Sequence, residues 1–530
     1  MTQTDLSLES LESVLQARFD EGGFLGLKDL PHPSTFKDMD KSTQRIVYAI
    51  THKQKITIIG DYDVDGVTST TLMKLFFEEI DYPIAWLIPN RFKDGYGLSA
   101  NIIPRILGTD LAITVDNGIS AVYAAKLCKE QGIELIITDH HLLAPDVPEC
   151  YAIIDQKQEA CTFPYSDVCG AQIAWYLIAS LKNALKLSIN MLSYMELVAI
   201  AIIADMMPLQ HINRAMVEAG IKALNKSKRP AIQAFLEFSK KETLNAEDIG
   251  FFLAPLLNSA GRMDDASHSV EFLTATNIYD ARVRLERLID FNTLRKATEQ
   301  ALTNQALLQV NAHDEVIVIE GEGWHEGVVG IVAARVARHH EKPCIVLSNN
   351  SQGILKGSGR SFGVCDLFAI TDGCRAYLDK FGGHQSAIGL SMPYEHLEAF
   401  KSQLQQNFAQ KSYIKATIDP EIVGILPFHA ISFELITLMA KYAPYGQGNT
   451  TPKFMAKGVE ILQADTMGKE SEHLRFRFVQ EGIVMQGVKF KSQERFTLGS
   501  LVDISYTVNE NHFRGKVTLQ LMIDKVYVNN

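Results

Sequence analysis

The chain has 530 residues, 46% hydrophobic and 21% charged, with 51 Lys and Arg against 62 Asp and Glu for a net charge of −11. That length exceeds what one core organises and predicts about three or four domains, while the acidic balance argues against indiscriminate coating of nucleic acid without excluding a locally basic cleft. Runs such as 196–207 fall short of the roughly 20 residues that span a bilayer, the start MTQTDLSLESLESVL has neither basic head nor apolar core, and the seven cysteines form no CxxC pair. The expectation is a cytoplasmic protein away from the membrane, without a disulfide framework or a structural zinc site.

Residues 1–50 read as a helical segment with no motif. From 51 to 270 the pattern alternates: strands are predicted at 55–60 (KITIIG), 82–89, 111–116 (LAITVD), 133–139 (IELIITD) and 151–155, with apolar helical stretches between them at 69–80 and 120–132. An α/β fold with a mostly parallel sheet covered on both faces is the natural arrangement, and in such sheets ligands gather at the carboxyl ends of the strands. The polar residues fall there. The first strand runs into Gly60-Asp61-Tyr62-Asp63-Val64-Asp65-Gly66, the third into Asp116-Asn117-Gly118 and the fourth into Thr138-Asp139-His140-His141.

Taken alone, Asp61, Asp63 and Asp65 could form a solvated turn. Three clusters converging on one sheet edge instead supply ligands for two cations, and imidazole beside several carboxylates suits Mn²⁺ better than Mg²⁺. Neither GxGxxG after the first strand nor GxxxxGK[ST] anywhere is present, so phosphate would be met through metal rather than through a glycine cradle. Asp205 ends an apolar helical run just before Pro208, where a surface cap is the alternative reading. The segment 91–97, Arg91-Phe-Lys-Asp-Gly-Tyr96-Gly97, mixes cations with aromatics as bases and phosphates require, although Tyr96 could equally be a core residue of a lid.

A long helical stretch over about 280–310 reads as a connector between domains. Strand, glycine-rich turn, helix and strand follow at 314–348, with Arg335 and Arg338 on the helix. Next come Gly357-Ser358-Gly359-Arg360 and Gly382-Gly383-His384, which combine backbone amides with a guanidinium fork able to bind phosphate at two oxygens. A surface salt bridge is the alternative for Arg360, and a packing role for His384. From about 416 a helical turn at 431–442 precedes Pro444-Tyr-Gly-Gln-Gly-Asn449, then short strand-like runs suggest a small barrel. Arg475, Arg477, Lys489, Lys491, Arg514 and Lys516 with Phe476, Phe490 and Phe513 fit a single-strand platform, or ordinary solvent-facing positions.

In this order these motifs resemble the DHH phosphoesterase superfamily, and within it the bacterial exonucleases specific for single-stranded DNA. Asp61-Tyr-Asp63-Val-Asp65-Gly66 is similar to the first motif and Asp139-His140-His141 to the naming triplet; Ala204-Asp205-Met-Met-Pro-Leu, Leu257-Asn-Ser-Ala-Gly-Arg262 and Phe381-Gly-Gly-His384 continue the match. The resemblance implies a multidomain α/β protein: a parallel-sheet DHH metal-binding catalytic domain at 51–270, a connecting helix at 271–312, a DHHA1 substrate-binding domain at 313–410 and an OB-fold β-barrel at 411–530. It implies Asp63, Asp65, Asp116, His140 and Asp205 as ligands of two Mn²⁺ or Mg²⁺ ions with Asp116 bridging, His141 as a supporting or phosphate-facing group, and Asp61 as a supporting acid. Arg262, Ser358, Arg360 and His384 would hold the terminal phosphate, with Arg91 and Tyr96 nearby.

The implied activity is 5′ to 3′ hydrolysis of single-stranded DNA to 5′-mononucleotides in recombination and repair. No helicase motor is visible, so a helicase and a single-stranded-DNA-binding protein are the implied companions. Val64 replaces the usual alanine, and Thr450-Thr451 the usual Pro-Glu, without removing a ligand. Two other readings remain at this stage: a phosphoesterase for short oligoribonucleotides or cyclic dinucleotides, and a noncatalytic scaffold that binds single strands. The retained carboxylates speak against the scaffold.

Overall fold

Where the sequence is most apolar, five short strands form: β1 (Ile56–Ile59), β2 (Ala85–Leu87), β3 (Leu111–Val115), β4 (Glu134–Thr138) and β5 (Ala152–Ile154). All pair in parallel, in the order β2-β1-β3-β4-β5. The computed structural model describes residues 6–19, 23–143, 145–349, 353–411, 421–468, 471–492, 494–513 and 515–528. Successive strand residues point to opposite faces. Ile58, Ile113, Val115, Ile136 and Ile154 face a large core shared with helices Val64–Glu79, Gly170–Ala184 and Met195–Ala204. Ile59, Ala112, Leu135, Ile137 and Ile153 face a second core with Ile102, Ile106 and Ala125. Burial on both faces explains the nearly unbroken apolar runs and leaves the polar residues to the strand ends.

The connector is a single helix, Ile278–Leu307, of 30 residues. It leads to a second sheet of β6 (Ile317–Glu322), β7 (Cys344–Asn349), β8 (Ile354–Arg360), β9 (Lys380–His384) and β10 (Ala387–Pro393), ordered β6-β7-β8-β10-β9, in which only β6 and β7 run parallel. Arg335, on helix Val329–His340, pairs with the buried Glu299 of the connector, which Arg295 also reaches at 2.8 Å. That arginine therefore fastens the second domain to the connector.

The third unit contains β11 (Ile422–Ile425), β12 (Lys453–Met467), β13 (His473–Gln480), β14 (Ile483–Lys489), β15 (Leu501–Phe513) and β16 (Lys516–Val528). Strands β12-β13-β14-β16-β15 close back onto β12 as a five-stranded barrel with one parallel pair, β14 and β16, while β11 adds beside β12. The expected platform changes in two places. Phe476 is fully buried and stacks on Phe478 at 4.9 Å inside the barrel, and Lys489 is held by Glu494 at 2.8 Å. Arg475 and Arg477 alternate outward and Phe490 is exposed, whereas Arg514 and the Phe513 side chain lie outside the described residues.

The described part of residues 1–50 serves two domains. Leu11 and Leu15 of helix Leu8–Gln16 join the barrel core with Leu435 and Met439, and the Leu6 N–H donates to the Ile425 carbonyl at 2.7 Å. Helix Met39–Thr51 instead buries Met39, Ile46 and Ala49 in the first domain. Among the described residues no helix is long and apolar enough to cross a membrane.

Candidate metal centre

Each strand end delivers its acids through a different local device. After β1 the chain turns directly into helix Val64–Glu79, whose N-cap is Asp63, with Oδ1 accepting from the Gly66 N–H at 3.0 Å. Gly66 packs so closely on Asp61 that a Cβ would lie 2.6 Å from its backbone. Asp65, in the first helical turn, is buried and accepts from the Gly170 N–H at 2.6 Å and the Ala171 N–H at 2.8 Å, the first two residues of helix Gly170–Ala184. After β3, Asp116 adopts a left-handed backbone, φ 63°. Asn117 locks that turn, donating to the Ile59 carbonyl at 3.1 Å and the Val115 carbonyl at 2.9 Å.

After β4, buried Asp139 accepts from the His140 N–H at 2.8 Å, from His141 Nδ1 at 2.7 Å and from the Ile119 N–H at 2.8 Å. It therefore orients the histidine pair. Asp205 ends helix Met195–Ala204, followed by Met206 at φ 55°, whose N–H reaches the Ile203 carbonyl while the Met207 N–H reaches that of Ile202. This closure usually employs glycine, and a side chain in that conformation costs about 1–2 kcal/mol.

The side chains converge. His140 Nε2 lies 3.1 Å from Asp116 Oδ1, 3.6 Å from Asp205 Oδ2 and 3.7 Å from Asp65 Oδ2. Asp61, Asp63 and Asp116 bring ligand atoms within 4.8 Å of one another, so Asp116 is common to two clusters. Both Asp116 carboxylate oxygens, Asp61 Oδ1 and Asp205 Oδ2 are buried without a hydrogen-bond partner. Unpartnered buried oxygens in such number fit cations at the site.

Burial, then repulsion from Asp65 and Asp63, pushes the Asp205 carboxyl up to about 9. Burial, then Asp63, lifts Asp65 to about 6, and burial with the neighbouring acids raises Asp116 and Asp61 well above the usual carboxylate range. A positive ion would reverse that pressure. Burial and the neighbouring His141 hold His140 down to about 3, hence as the neutral imidazole that ligates metal. Burial opposes charge on His141 too, but the hydrogen bond and charge of Asp139 outweigh it and lift the ring to about 9. Burial keeps the adjacent Cys169 thiol protonated, leaving an oxygen and imidazole donor set suited to Mn²⁺ or Mg²⁺.

A basic and aromatic wall faces this centre. The Tyr96 hydroxyl lies 3.4 Å from His141 Nε2, Tyr62 meets Tyr96 edge to face at 5.9 Å, and the Arg91 guanidinium sits 4.1 Å over the Tyr62 ring. Arg262 donates to the Gly327 carbonyl at 3.1 Å. Burial, followed by repulsion from Arg91 and Arg360, brings Arg262 down to about 9. Arg360 donates to Ser358 Oγ at 2.6 Å and to the Gly359 carbonyl at 2.8 Å, and Gly330 leaves room for both side chains. Crowded guanidiniums of this kind suit an anion, whose charge would relieve their repulsion.

His384 stands farther out. It is exposed on β9, in the row Arg360, Ala387, His384 across β8, β10 and β9, roughly 10 Å from Arg360 by strand spacing. Gly382 and Gly389 leave the sheet face beside that row bare.

The sequence reading grouped Asp61, Asp63, Asp65, Asp116, His140, His141 and Asp205, and the structure brings these side chains together, with Tyr96, Arg91, Arg262, Ser358 and Arg360 beside them. It missed four supports. Asp139 orients the histidines, Asn117 fixes the Asp116 turn, Lys157 Nζ donates to the His140 carbonyl, and the Gly170-Ala171 amides hold Asp65. The only signals available were the first letter of the Asp-His-His triplet and a Cys-Gly-Ala run opening an apolar helix.

Comparison with known proteins gives three family matches: the DHH family, N-terminal domain, over residues 55–202; the DHHA1 domain over 313–410; and the RecJ OB domain over 422–525. The chain is 33% identical to the single-stranded-DNA-specific exonuclease RecJ of Salmonella typhimurium over 92% of its own length and 90% of that protein. It is 32% identical to the RecJ of Bacillus subtilis over 94% of its length, spanning 65% of that longer relative. A crystal structure of Thermus thermophilus RecJ in complex with Mn²⁺ superimposes with a TM-score of 0.81 at 25% identity, covering 93% of this chain and 72% of that one. The same protein in complex with Mg²⁺ shares the fold, with a TM-score of 0.76 at 24% identity, over 93% and 71% of the two chains.

Proposed function

This chain belongs to the RecJ family of single-stranded-DNA-specific exonucleases, and we propose that it is a divalent-metal-dependent exonuclease that degrades single-stranded DNA from the 5′ end to 5′-mononucleotides. The observation that carries the chemistry is the Asp116 carboxylate, shared by two ligand clusters with both oxygens buried and unpartnered. We read Asp65, Asp116, His140 and Asp205 as holding one ion, and Asp63 and Asp116, supported by Asp61, as holding a second.

Divalent ions held there supply the Lewis acidity that activates water and neutralises charge growing on the phosphate. The chain's own residues do the rest. Asp139 fixes His141 through Nδ1 and leaves Nε2 3.4 Å from the Tyr96 hydroxyl, a pair able to donate to a phosphate oxygen. Arg262, Arg360 and Ser358 offer the terminal phosphate a fork and a hydroxyl, with His384 at the outer end of the same sheet face. Fixing the end of the strand fixes which bond faces the acids, which is what exonuclease action requires. Arg91 stacked on Tyr62 pairs a cation with an aromatic face, suited to the first nucleotides. The barrel, with Arg475 and Arg477 outward, grips strand farther away and favours a polymer over a dinucleotide. A helicase would open duplexes and a single-stranded-DNA-binding protein would present the strand, all in the cytoplasm in recombination and repair.

The test uses purified protein with Mn²⁺ or Mg²⁺ and matched DNA and RNA strands labelled separately at each end. Early release of labelled mononucleotide from the 5′ end of long DNA is expected. Preference for RNA of two to five residues, or release from the 3′ end, would refute the reading.

A further inference from the structure

The segment 444–449, Pro-Tyr-Gly-Gln-Gly-Asn, precedes the barrel strands yet also contacts the first domain, on the turn that follows Asp205. The Leu209 N–H donates to the Gln447 carbonyl at 2.7 Å. Gln210 Nε2 donates to the Gly448 carbonyl at 3.1 Å and to the Arg18 carbonyl at 3.0 Å. Gly448, at φ 71°, approaches so closely that a Cβ would lie 3.0 Å from Pro208, and a Cβ on Gly446 would lie 2.8 Å from Leu209. Arg214 Nη2 donates to the Ala443 carbonyl at 2.7 Å. Fully buried Asn449 shapes the loop from within, donating to the Tyr442 and Pro444 carbonyls at 2.7 and 3.0 Å and accepting from Arg18 Nη1 at 3.1 Å.

From this clasp two hydrogen bonds and the backbone of one helix turn lead to a second acid of the metal cradle. The Pro208 carbonyl accepts from Asn213 Nδ2 at 3.0 Å, and Asn213 Oδ1 accepts from Gln172 Nε2 at 2.9 Å. Gln172 stands in the first turn of helix Gly170–Ala184, whose opening amides hold Asp65. Asp205 itself rests on the left-handed Met206, a conformation that needs outside support. The loop's contacts begin two residues beyond, at Pro208 and Leu209.

We propose that loop 444–449 is a positioning element of the metal centre: docking of the barrel unit fixes the Asp205 turn, and through Asn213 and Gln172 the Asp65 helix, and so sets the affinity of the site for divalent ions. Supports of this kind around a metal site are worth about 10- to 100-fold in affinity. The proposal rests on the reading of Asp65 and Asp205 as metal ligands.

The test compares the full chain with Gln210→Ala, which removes the side-chain hydrogen bonds to the Gly448 and Arg18 carbonyls but not the Leu209 to Gln447 backbone bond, and Gly448→Ala, which places a methyl against Pro208. Mn²⁺ binding is followed by titration calorimetry and by the electron paramagnetic resonance of free Mn²⁺, single-strand binding in EDTA, and hydrolysis across a range of Mn²⁺. The expected result is an Mn²⁺ dissociation constant raised about 10-fold or more, strand binding in EDTA unchanged, and hydrolysis lost at low Mn²⁺ but recovered at high Mn²⁺. Wild-type Mn²⁺ affinity in a folded variant overturns the inference, as does loss of strand binding with metal affinity intact, which would assign the loop to the strand. Gln210→Ala, a substitution at a partly exposed site, decides the matter if Gly448→Ala does not fold. Absence of Mn²⁺ binding by the unmodified chain would instead overturn the metal-centre reading beneath it.

Discussion

Gly170 is where the smallest change should have the largest effect. Its N–H holds Asp65 at 2.6 Å, while its Cα faces Asp116 so closely that an added Cβ would lie 2.5 Å from Asp116 Cβ, 2.7 Å from Oδ1 and 2.8 Å from Cα. Carbon atoms rest about 3.5–4.0 Å apart, so Gly170→Ala must separate the two segments by about 1 Å. No rotamer change relieves a contact with Asp116 Cα. Overpacking of this kind costs about 1–3 kcal/mol, offset in part by about 0.4–1 kcal/mol from the stiffer unfolded chain, because the backbone here is one alanine adopts freely. Stability should therefore fall by about 1–2 kcal/mol, whereas a 1 Å misplacement of a catalytic group costs about 10²-fold in rate. The assay is kcat on end-labelled single strands at saturating Mn²⁺, beside denaturant unfolding of the metal-free chain. A variant with a rate within about threefold of wild type would refute the claim that Gly170 sets the spacing of Asp65 and Asp116.

Arg360→Ala should weaken use of 5′-phosphorylated ends far more than binding to an internal stretch, compared by competition with phosphorylated and unphosphorylated strands; equal losses would remove it from the phosphate clamp. Exchanging both Arg475 and Arg477 for Ala should lower strand affinity and flatten the logarithmic salt dependence by roughly 1.4, at about 0.7 per phosphate contact, without changing cleavage of a dinucleotide; an unchanged salt slope would place the strand elsewhere on the barrel. Phe476→Ala should instead destabilise the barrel by about 3–5 kcal/mol in denaturant unfolding, because that ring is core. For the metal-free chain, the stability that these raised carboxyls contribute is fully present below the unfolded value of about 4 and is lost as pH rises through about 6 for Asp65 and about 9 for Asp205. Added Mn²⁺ should therefore raise the unfolding midpoint more at about pH 8.5 than at about pH 5.5, and an equal or opposite response would contradict the buried acidic cluster.

The acids at the ends of β1, β3 and β4 were legible because a parallel sheet sends its polar residues to one edge. Apolar runs ending in Asp61, Asp116 and His140 fix that edge without any knowledge of the fold's connections. Asp205 was harder to place, since a helix end next to Pro208 has the same pattern whether it faces a metal or solvent. Support through backbone amides, as Gly170 and Ala171 give Asp65, leaves almost no trace in residue identity. In β13 the alternation Arg475, Phe476, Arg477, Phe478 marks two faces, and closure of the barrel decides that the aromatic face is the inner one. The amphipathic helix Leu8–Gln16 announces a buried stripe but not its partner, which lies in the barrel more than 400 residues away in sequence, as the Arg18 to Asn449 bond shows with a separation of 431.

The bridge we propose is a single carboxylate, Asp116, between two divalent ions. It is tested most directly by anomalous diffraction at the manganese edge from crystals of the full chain grown with Mn²⁺. Two peaks are expected, both in ligand contact with Asp116, one shared with Asp65, His140 and Asp205 and the other with Asp63, with loss of at least one in Asp116→Asn. A single peak, or two peaks neither of which touches Asp116, would contradict it.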